Sequence, residues 1–275
     1  QQAGVRVLAS SAKLARQLEN KLQLPAIASA AEVRIPETVV ISRRALRDGT
    51  ASLPQLEDGW VVQPAMSFAG AGTTPVASRD ALERALQDPT ASRSDLWKLT
   101  RHVHGEPMTV NAVVLGHEDV VVAHVTRQLT GVAECSAEPL GSCGNEWSIP
   151  IDDEAANSVR QVASSVGAEL SRRGFRGAYG IDVVVSPQGN VVVIEINARI
   201  TASFGMLNQL QRAHGFIPMI DVHEAVFLDP AGSLLARARE CYSGELAPWE
   251  QPAASVVCYN TSNDVLHAEH DHPWM

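Results

Sequence analysis

Long apolar runs are missing from this sequence. None approaches the roughly 20 residues that a bilayer-spanning helix needs, and the first residues lack a signal-peptide pattern. A membrane partner is thereby excluded, and the chain reads as cytoplasmic. Positive charge is also scarce: 22 Lys and Arg against 31 Asp and Glu leave a net charge of -9, which argues against a surface that coats nucleic acid. A polyanion bound by such a protein must meet a local concentration of cations. Only four cysteines are present, Cys135, Cys143, Cys241 and Cys258, too widely spaced for a paired metal-ligand motif or a dense disulfide framework, so they read as free thiols. Cys143 lies between Gly141 and Gly144 with no neighbouring pattern that would support a thiolate, and reads as a structural loop thiol. Internal repeats, heptads and low-complexity tracts are absent. The chain begins at Gln1 without an initiator Met, which marks it as trimmed or as part of something longer.

What is present is a globular composition, 45% hydrophobic and 19% charged over 275 residues, enough for one large domain or two lobes. Ser10 or Ser11 caps a helix carrying Leu14, Leu18 and Leu22, with Lys21 near its end and Pro25 beyond. From Ile35 the pattern shortens: "IPETVVIS" and "GWVVQP" read as strands around a small helix at Arg44 to Leu46. The Gly-rich turn "SFAGAGTT" leads to a short strand through Val76 and a helix opened by Ser78 with Leu82 and Leu86 inward. Met108 to Leu115 and Val120 to Val125 read as antiparallel strands. A polar loop with Gly131, Gly141 and Gly144 precedes a long helix over Asp152 to Arg173, stopped by Gly174. Mixed elements without regular βαβ alternation predict an α+β fold.

The most informative segment is Gly180 to Arg199, GIDVVVSPQGNVVVIEINAR. Two β-branched runs flank the turn residues Pro187 to Asn190, so a hairpin follows. If Ser186 pairs with Val191, a constant register sets Asp182 opposite Glu195, with Cβ atoms about 5 Å apart. Alternation places Asn197 and Arg199 on the same face. Two close carboxylates in an apolar sheet need a neutralising cation. Oxygen-only donors from Asp182, Glu195 and Asn197 suit a hard ion that keeps some waters, magnesium or manganese and not zinc, and such an ion commonly accompanies phosphate. A purely structural salt bridge between Arg199 and Glu195 would leave Asn197 unexplained.

Taken together, the ordered set Gly174, Gly177, Gly180 and Asp182, the strand "IEINAR" and the lid-like "SFAGAGTT" resemble the ATP-grasp ligases, over roughly Lys21 to Phe227. The resemblance implies two α+β lobes closing on ATP, with the N-terminal domain reduced or missing: 1–34 as its remnant and a linking helix, 35–100 as the small lid subdomain, 101–275 as the large subdomain with the metal-binding hairpin. It further implies that Asp182, Glu195 and Asn197 hold magnesium, that Arg199 faces a reacting acyl phosphate, and that Lys21 approaches the nucleotide phosphates. Ser67, Gly70 and Gly72 fall in the flexible lid loop, and Lys98, Arg101, His102 and Val103 in the hinge that receives adenine. Gln63 stands where the family commonly has a lysine, so Lys98 or Arg101 is expected to replace that charge.

The loop phrasing of "VVQPAMSFAGAGTT", "MTVNAVV" and "RQLTG" is similar to bacterial peptide ligases. ATP-dependent joining of a small-molecule carboxylate to an amine, both amino acids or peptides, is then the implied activity, with ADP and phosphate released. Acyl transfer to a carrier-protein thiol and a non-catalytic nucleotide-binding module stay open beside it, as does a homodimer. Arg212 and His214, on a helix after the metal strand, are further candidates to touch substrate. "HAEHDH" near the C-terminus has imidazoles enough for adventitious metal and reads as a solvated tail.

Overall fold

Ser11 begins the first helix by accepting a hydrogen bond from the Leu14 amide at 3.3 Å. In the computed structural model, which describes residues 7–67, 70–87, 95–147, 151–246, 249 and 252–259, that helix, α1 (Ala12–Glu19), ends one turn earlier than the leucine spacing predicts. The single expected helix is two. Asn20 adopts an extended backbone and caps the next turn through Leu22, and Pro25 stands in the first turn of α2 (Leu24–Ala31), where a missing N–H costs nothing. The break points Lys21 inward, leaving it 4% exposed.

Two antiparallel sheets follow. The smaller is built from β1 (Thr38–Ser42), β2 (Trp60–Pro64), β3 (Thr74–Val76) and β4 (Leu96–Arg101) in the order β1-β4-β2-β3, with α3 (Arg43–Arg47) and α4 (Arg79–Gln87) alongside. Its own core joins Trp60, Trp97, Leu82, Leu86 and Leu99. The larger is built from β5 (Glu106–Gly116), β6 (Asp119–Thr130), β7 (Ser142–Glu146), β8 (Gly177–Val185), β9 (Val191–Asn197) and β10 (Ala254–Val256), ordered β10-β7-β6-β5-β8-β9. β7 falls inside the stretch that reads as a polar loop; its sequence, SCGNE, carries no apolar alternation, and pairing with β6 and β10 makes the strand.

Both faces of the large sheet are covered. α5 (Asp153–Arg172) packs with α1 and α2 on one side through Val159, Val166, Leu170 and Ile27. α6 (Phe204–Ala213), α7 (Met219–Leu228) and α8 (Ser233–Cys241) cover the other through Leu207, Val222 and Leu235. This accounts for the nearly continuous burial of β5, since both alternating sets of side chains meet a helix layer. By packing, α1 and α2 share the core of the large sheet through Leu18, Leu24, Ile27 and Ala31. No helix of the described residues is long and apolar enough to cross a membrane.

One small residue is essential to the seam between α5 and β8. Tyr179 is fully buried and donates its hydroxyl to the Ala163 carbonyl at 2.6 Å, and a Cβ added at Gly167 would lie 2.3 Å from that hydroxyl. Gly167→Ala is therefore expected to destabilise the fold by about 1–3 kcal/mol despite alanine's better helix propensity, read as a lower urea midpoint. An unchanged midpoint would contradict this packing.

Candidate functional site

The hairpin does set Asp182 opposite Glu195, by a different route from a constant register. Val185 pairs with Val191 and Val183 with Val193, then the register slips by one so that Asp182 meets Glu195 and Gly180 meets Asn197. Ser186 bonds the Asn190 carbonyl instead of pairing with Val191. The longer turn is compensated by a β-bulge at Ile194, which restores the acidic pair to one face.

Around the pair the structure collects cations and polar donors from distant parts of the chain. Lys21 Nζ lies 2.5 Å from Glu195 Oε1 and 3.2 Å from the Ser67 carbonyl. Asp182 accepts three bonds: from Thr109 Oγ1 at 2.7 Å, Gln128 Nε2 at 3.2 Å and Asn197 Nδ2 at 3.1 Å. Burial, then the neighbouring Glu195 carboxylate, push the Asp182 carboxyl up to about 6 against these donors and Lys21. Arg199 places Nη2 2.9 Å from Asn197 Oδ1 and Nε 3.1 Å from Glu19 Oε1. Glu19 is itself held above the usual carboxylate range, first by burial. The purely structural alternative, a salt bridge of Glu195 with Arg199, does not occur; Glu195 pairs with Lys21 and Arg199 with Glu19.

Lys98 is the second buried cation. It lies directly across from Gln63 in the β2–β4 register, so both side chains share one face, and Lys98 is fully buried with Nζ 3.2 Å from the Ile194 carbonyl. Burial lowers its pKa to about 8, against the pull of Glu195. A buried positive charge thus stands one strand over from Gln63. Gln63 instead donates to Thr73 Oγ1 at 3.3 Å.

Two hinge expectations need correcting. Lys98 does not offer backbone contacts, because β4 pairs on both sides, with Val40 and with Gln63. The Arg101 side chain turns to Glu37 at 3.4 Å and lies 5.8 Å over the Trp60 ring, and its amide, like that of His102, is already bonded, to Glu37 and Gly59 respectively. Arg101 lines the cleft with its side chain paired to Glu37. The part of the hinge outside the ladder, His102 to Gly105, remains along the cleft. Burial and the adjacent His104 ring hold His102 below its ordinary pKa.

A cleft of about 720 Å³ runs between the lobes and contains Gln63, Ser67, Gly70, His102, Val103, Asp182, Glu195, Asn197 and Arg199. Gly70 packs against the loop before β7 so closely that a Cβ there would meet Gly141 Cα at 2.5 Å. Gly72, like Gly70, takes a positive φ in the lid turn. Arg212 pairs with Asp221 at 2.9 Å and His214 stacks near Trp249, so neither joins the cleft. The histidines of "HAEHDH" lie outside the described residues. Sequence reasoning missed Glu19, Thr109, Gln128 and Asn145. A signal existed for Thr109, a polar residue at the inward face of the apolar run MTVNAVV; Asn145 sits in the strand that was not anticipated.

The family model for the ATP-grasp domain matches residues 9–203. The chain belongs to the ATP-grasp family. No curated protein matches it by sequence. Its ATP-grasp fold is shared with an L-amino acid ligase from Bacillus licheniformis (16% identity, TM-score 0.58, 77% of this chain and 48% of that one). It is shared also with a carboxyaminoimidazole ribonucleotide synthase from Aspergillus clavatus complexed with ATP (15%, 0.63, 91% and 71%). A third is the VanG D-Ala:D-Ser ligase from Enterococcus faecalis (17%, 0.59, 82% and 66%). The chain thus spans about half the length of the Bacillus ligase.

Proposed function

We propose that the protein is an ATP-dependent carboxylate–amine ligase that forms an amide or peptide bond through an acyl phosphate and releases ADP and phosphate. The observation that carries this reading is an acidic pair, Asp182 and Glu195, on the cleft wall with Arg199, backed by two buried cations from separate elements, Lys21 on Glu195 and Lys98 on the Ile194 carbonyl. Cations so placed suit a polyphosphate, and the acidic pair suits the counter-ion that a polyphosphate brings.

The donor set fits magnesium or manganese. Among the described residues no three His, Cys, Asp or Glu side chains cluster as a metal cage. Two carboxylates with the Asn197 amide leave coordination positions to water and phosphate, as a hard divalent ion prefers. When bound, held by Asp182, Glu195 and Asn197, that ion would supply positive charge that stabilises phosphate oxygens. Lys21, held between Glu195 and the Ser67 carbonyl, would supply a positive charge to a bound phosphate. Lys98 adds a buried positive charge beside it. A substrate carboxylate attacks the terminal phosphoryl group and ADP leaves; an amine then attacks the acyl carbon and phosphate leaves. Arg199 holds fixed donors toward the charge that develops on the acyl group.

Amino acids or peptides are the proposed substrates. The kinship of fold with ligases of L-amino acids and of D-Ala with D-Ser supports this, as does the far end of the cleft. There Asn145, opposite Gln128 in the β6–β7 ladder, is 6% exposed and its Nδ2 has no hydrogen-bond partner. A buried amide left unsatisfied is a recognition group for a polar ligand. Asn145→Ala is expected to raise KM for the carboxylate or amine about 10-fold while KM for ATP stays unchanged.

The deciding experiment supplies amino acid pairs with Mg-ATP, follows phosphate release and identifies products by mass spectrometry. If no mixture raises ADP above background while ATP still binds with magnesium, the ligase reading fails and a nucleotide-binding module replaces it.

A further inference from the structure

Two of the four cysteines are neighbours. Cys258 Sγ lies 3.4 Å from Cys135 Sγ, although 123 residues separate them in sequence. Backbone bonds on both sides hold them there: the Tyr259 amide donates to the Cys135 carbonyl and the Val257 amide to the Cys143 carbonyl, each at 2.8 Å. β10 just before them pairs with β7, so the segment 254–259 is laid along the loop that leads into β7.

We propose that Cys135 and Cys258 form a reversible disulfide that fastens the C-terminal segment across one end of the cleft. The sulfurs need to close only to about 2.05 Å, a displacement within reach of side-chain rotation. Their accessibilities differ in a useful way. Cys258 is exposed and meets an oxidant first, while Cys135 is buried, its thiol pushed up to about 11 chiefly by the contact with Cys258. With a small-molecule disulfide of the glutathione type as oxidant, the Cys258 thiolate attacks one sulfur and expels a thiolate. Cys135 then gives up its proton and attacks the Cys258 sulfur, expelling the second thiolate. Two protein thiols and one small disulfide become one protein disulfide and two small thiols.

The other cysteines compete poorly. Cys143 is completely buried with its sulfur directed at the Gly141 and Val132 carbonyls, and Cys241 belongs to α8. The link matters because of what it fastens. Leu140, Ser142 and Tyr259 all stand on the cleft wall, and the loop carrying Cys135 is the surface against which Gly70 of the lid turn packs at Gly141. Oxidation joins that landing surface to the segment 254–259 and holds Tyr259 on the wall.

The test uses the full chain, oxidised with glutathione disulfide and compared with a dithiothreitol-treated sample. After denaturation, thiol titration should find two reactive thiols in the oxidised sample and four in the reduced one, with peptide mapping joining Cys135 to Cys258. Cleavage after Tyr259 by an aromatic-specific protease should slow several-fold on oxidation and recover on reduction. Cys258→Ser should abolish both changes, whereas Cys241→Ser should keep them. Four persisting thiols, a glutathione adduct at Cys258 alone, a Cys135–Cys143 link, or unchanged cleavage at Tyr259 would each overturn the proposal. None of these readouts depends on ligase activity, so failure here is distinct from failure of the proposed function.

Discussion

Glu195→Gln should remove ATP turnover, lowering the rate by at least about 100-fold, the loss expected when a metal-site group is altered. The substitution is nearly isosteric, so the strand and its bulge survive. What goes is the charge that holds a cation against the phosphates. The same carboxylate is also the counter-ion of Lys21, whose side chain is 3% exposed, against 22% for Glu195. Stripping a buried ion of its partner commonly costs about 3–5 kcal/mol, and glutamine reduces that cost by keeping an acceptor oxygen in place. A second variant separates the two effects: Lys21→Met with Glu195→Gln should recover stability in urea denaturation without recovering phosphate release. Turnover in Glu195→Gln within a few-fold of the unmodified protein would sink the metal assignment.

Lys98→Met should act in opposite directions on stability and on binding. Lys98 is fully buried, and a buried ammonium costs more than an apolar chain of similar length, so the ligand-free variant should melt higher. Its affinity for ATP should fall about 10- to 100-fold, because a charge-assisted contact is worth about 1.5–3 kcal/mol. Isothermal titration alongside thermal melts reads both. The pH dependence has a definite sign. The folded pKa of about 8 lies below the ordinary 10.5, so below pH 8 the lysine is charged in both folded and unfolded chains and the folded state bears the full cost of burial. As pH rises from 8 towards 10.5 the folded protein sheds this proton first, so stability gains from this group while ATP affinity declines. Lys98→Met should flatten both trends. A variant that binds ATP as tightly as the parent would assign the missing charge elsewhere.

Much of this site was legible because its signal is local. Alternation in VVVIEINAR puts Glu195 and Asn197 on one face whatever the rest of the chain does, and the β-branched runs around Pro187 to Asn190 announce a hairpin. The long helix over 153–172 was legible for the same reason, a regular apolar stripe ended by glycine. What stayed hidden depends on partners far away in sequence. Nothing near Lys21 tells that it meets Glu195, 174 residues on, or that Glu19 will hold Arg199. The slip at Ile194 is invisible because VVVI is apolar throughout, so the change of the inward set from Val191 and Val193 to Ile196 leaves no mark in the sequence. The strand at 142–146 has no apolar rhythm and exists only because neighbours on both edges supply its hydrogen bonds. The family resemblance puts Lys98 in a hinge, yet a paired strand conducts its side chain inward.

The irregular residue in the hairpin also ties the lobes together. Ile194 has no opposite number in its ladder, and its carbonyl receives the ammonium of Lys98, which belongs to the smaller sheet. One inserted residue thereby turns a rigid wall into a latch. For the cleft to widen, or for Lys98 to swing towards an arriving phosphate, the same bond must part, so the jaws cannot open without unfastening the charge they use to grip.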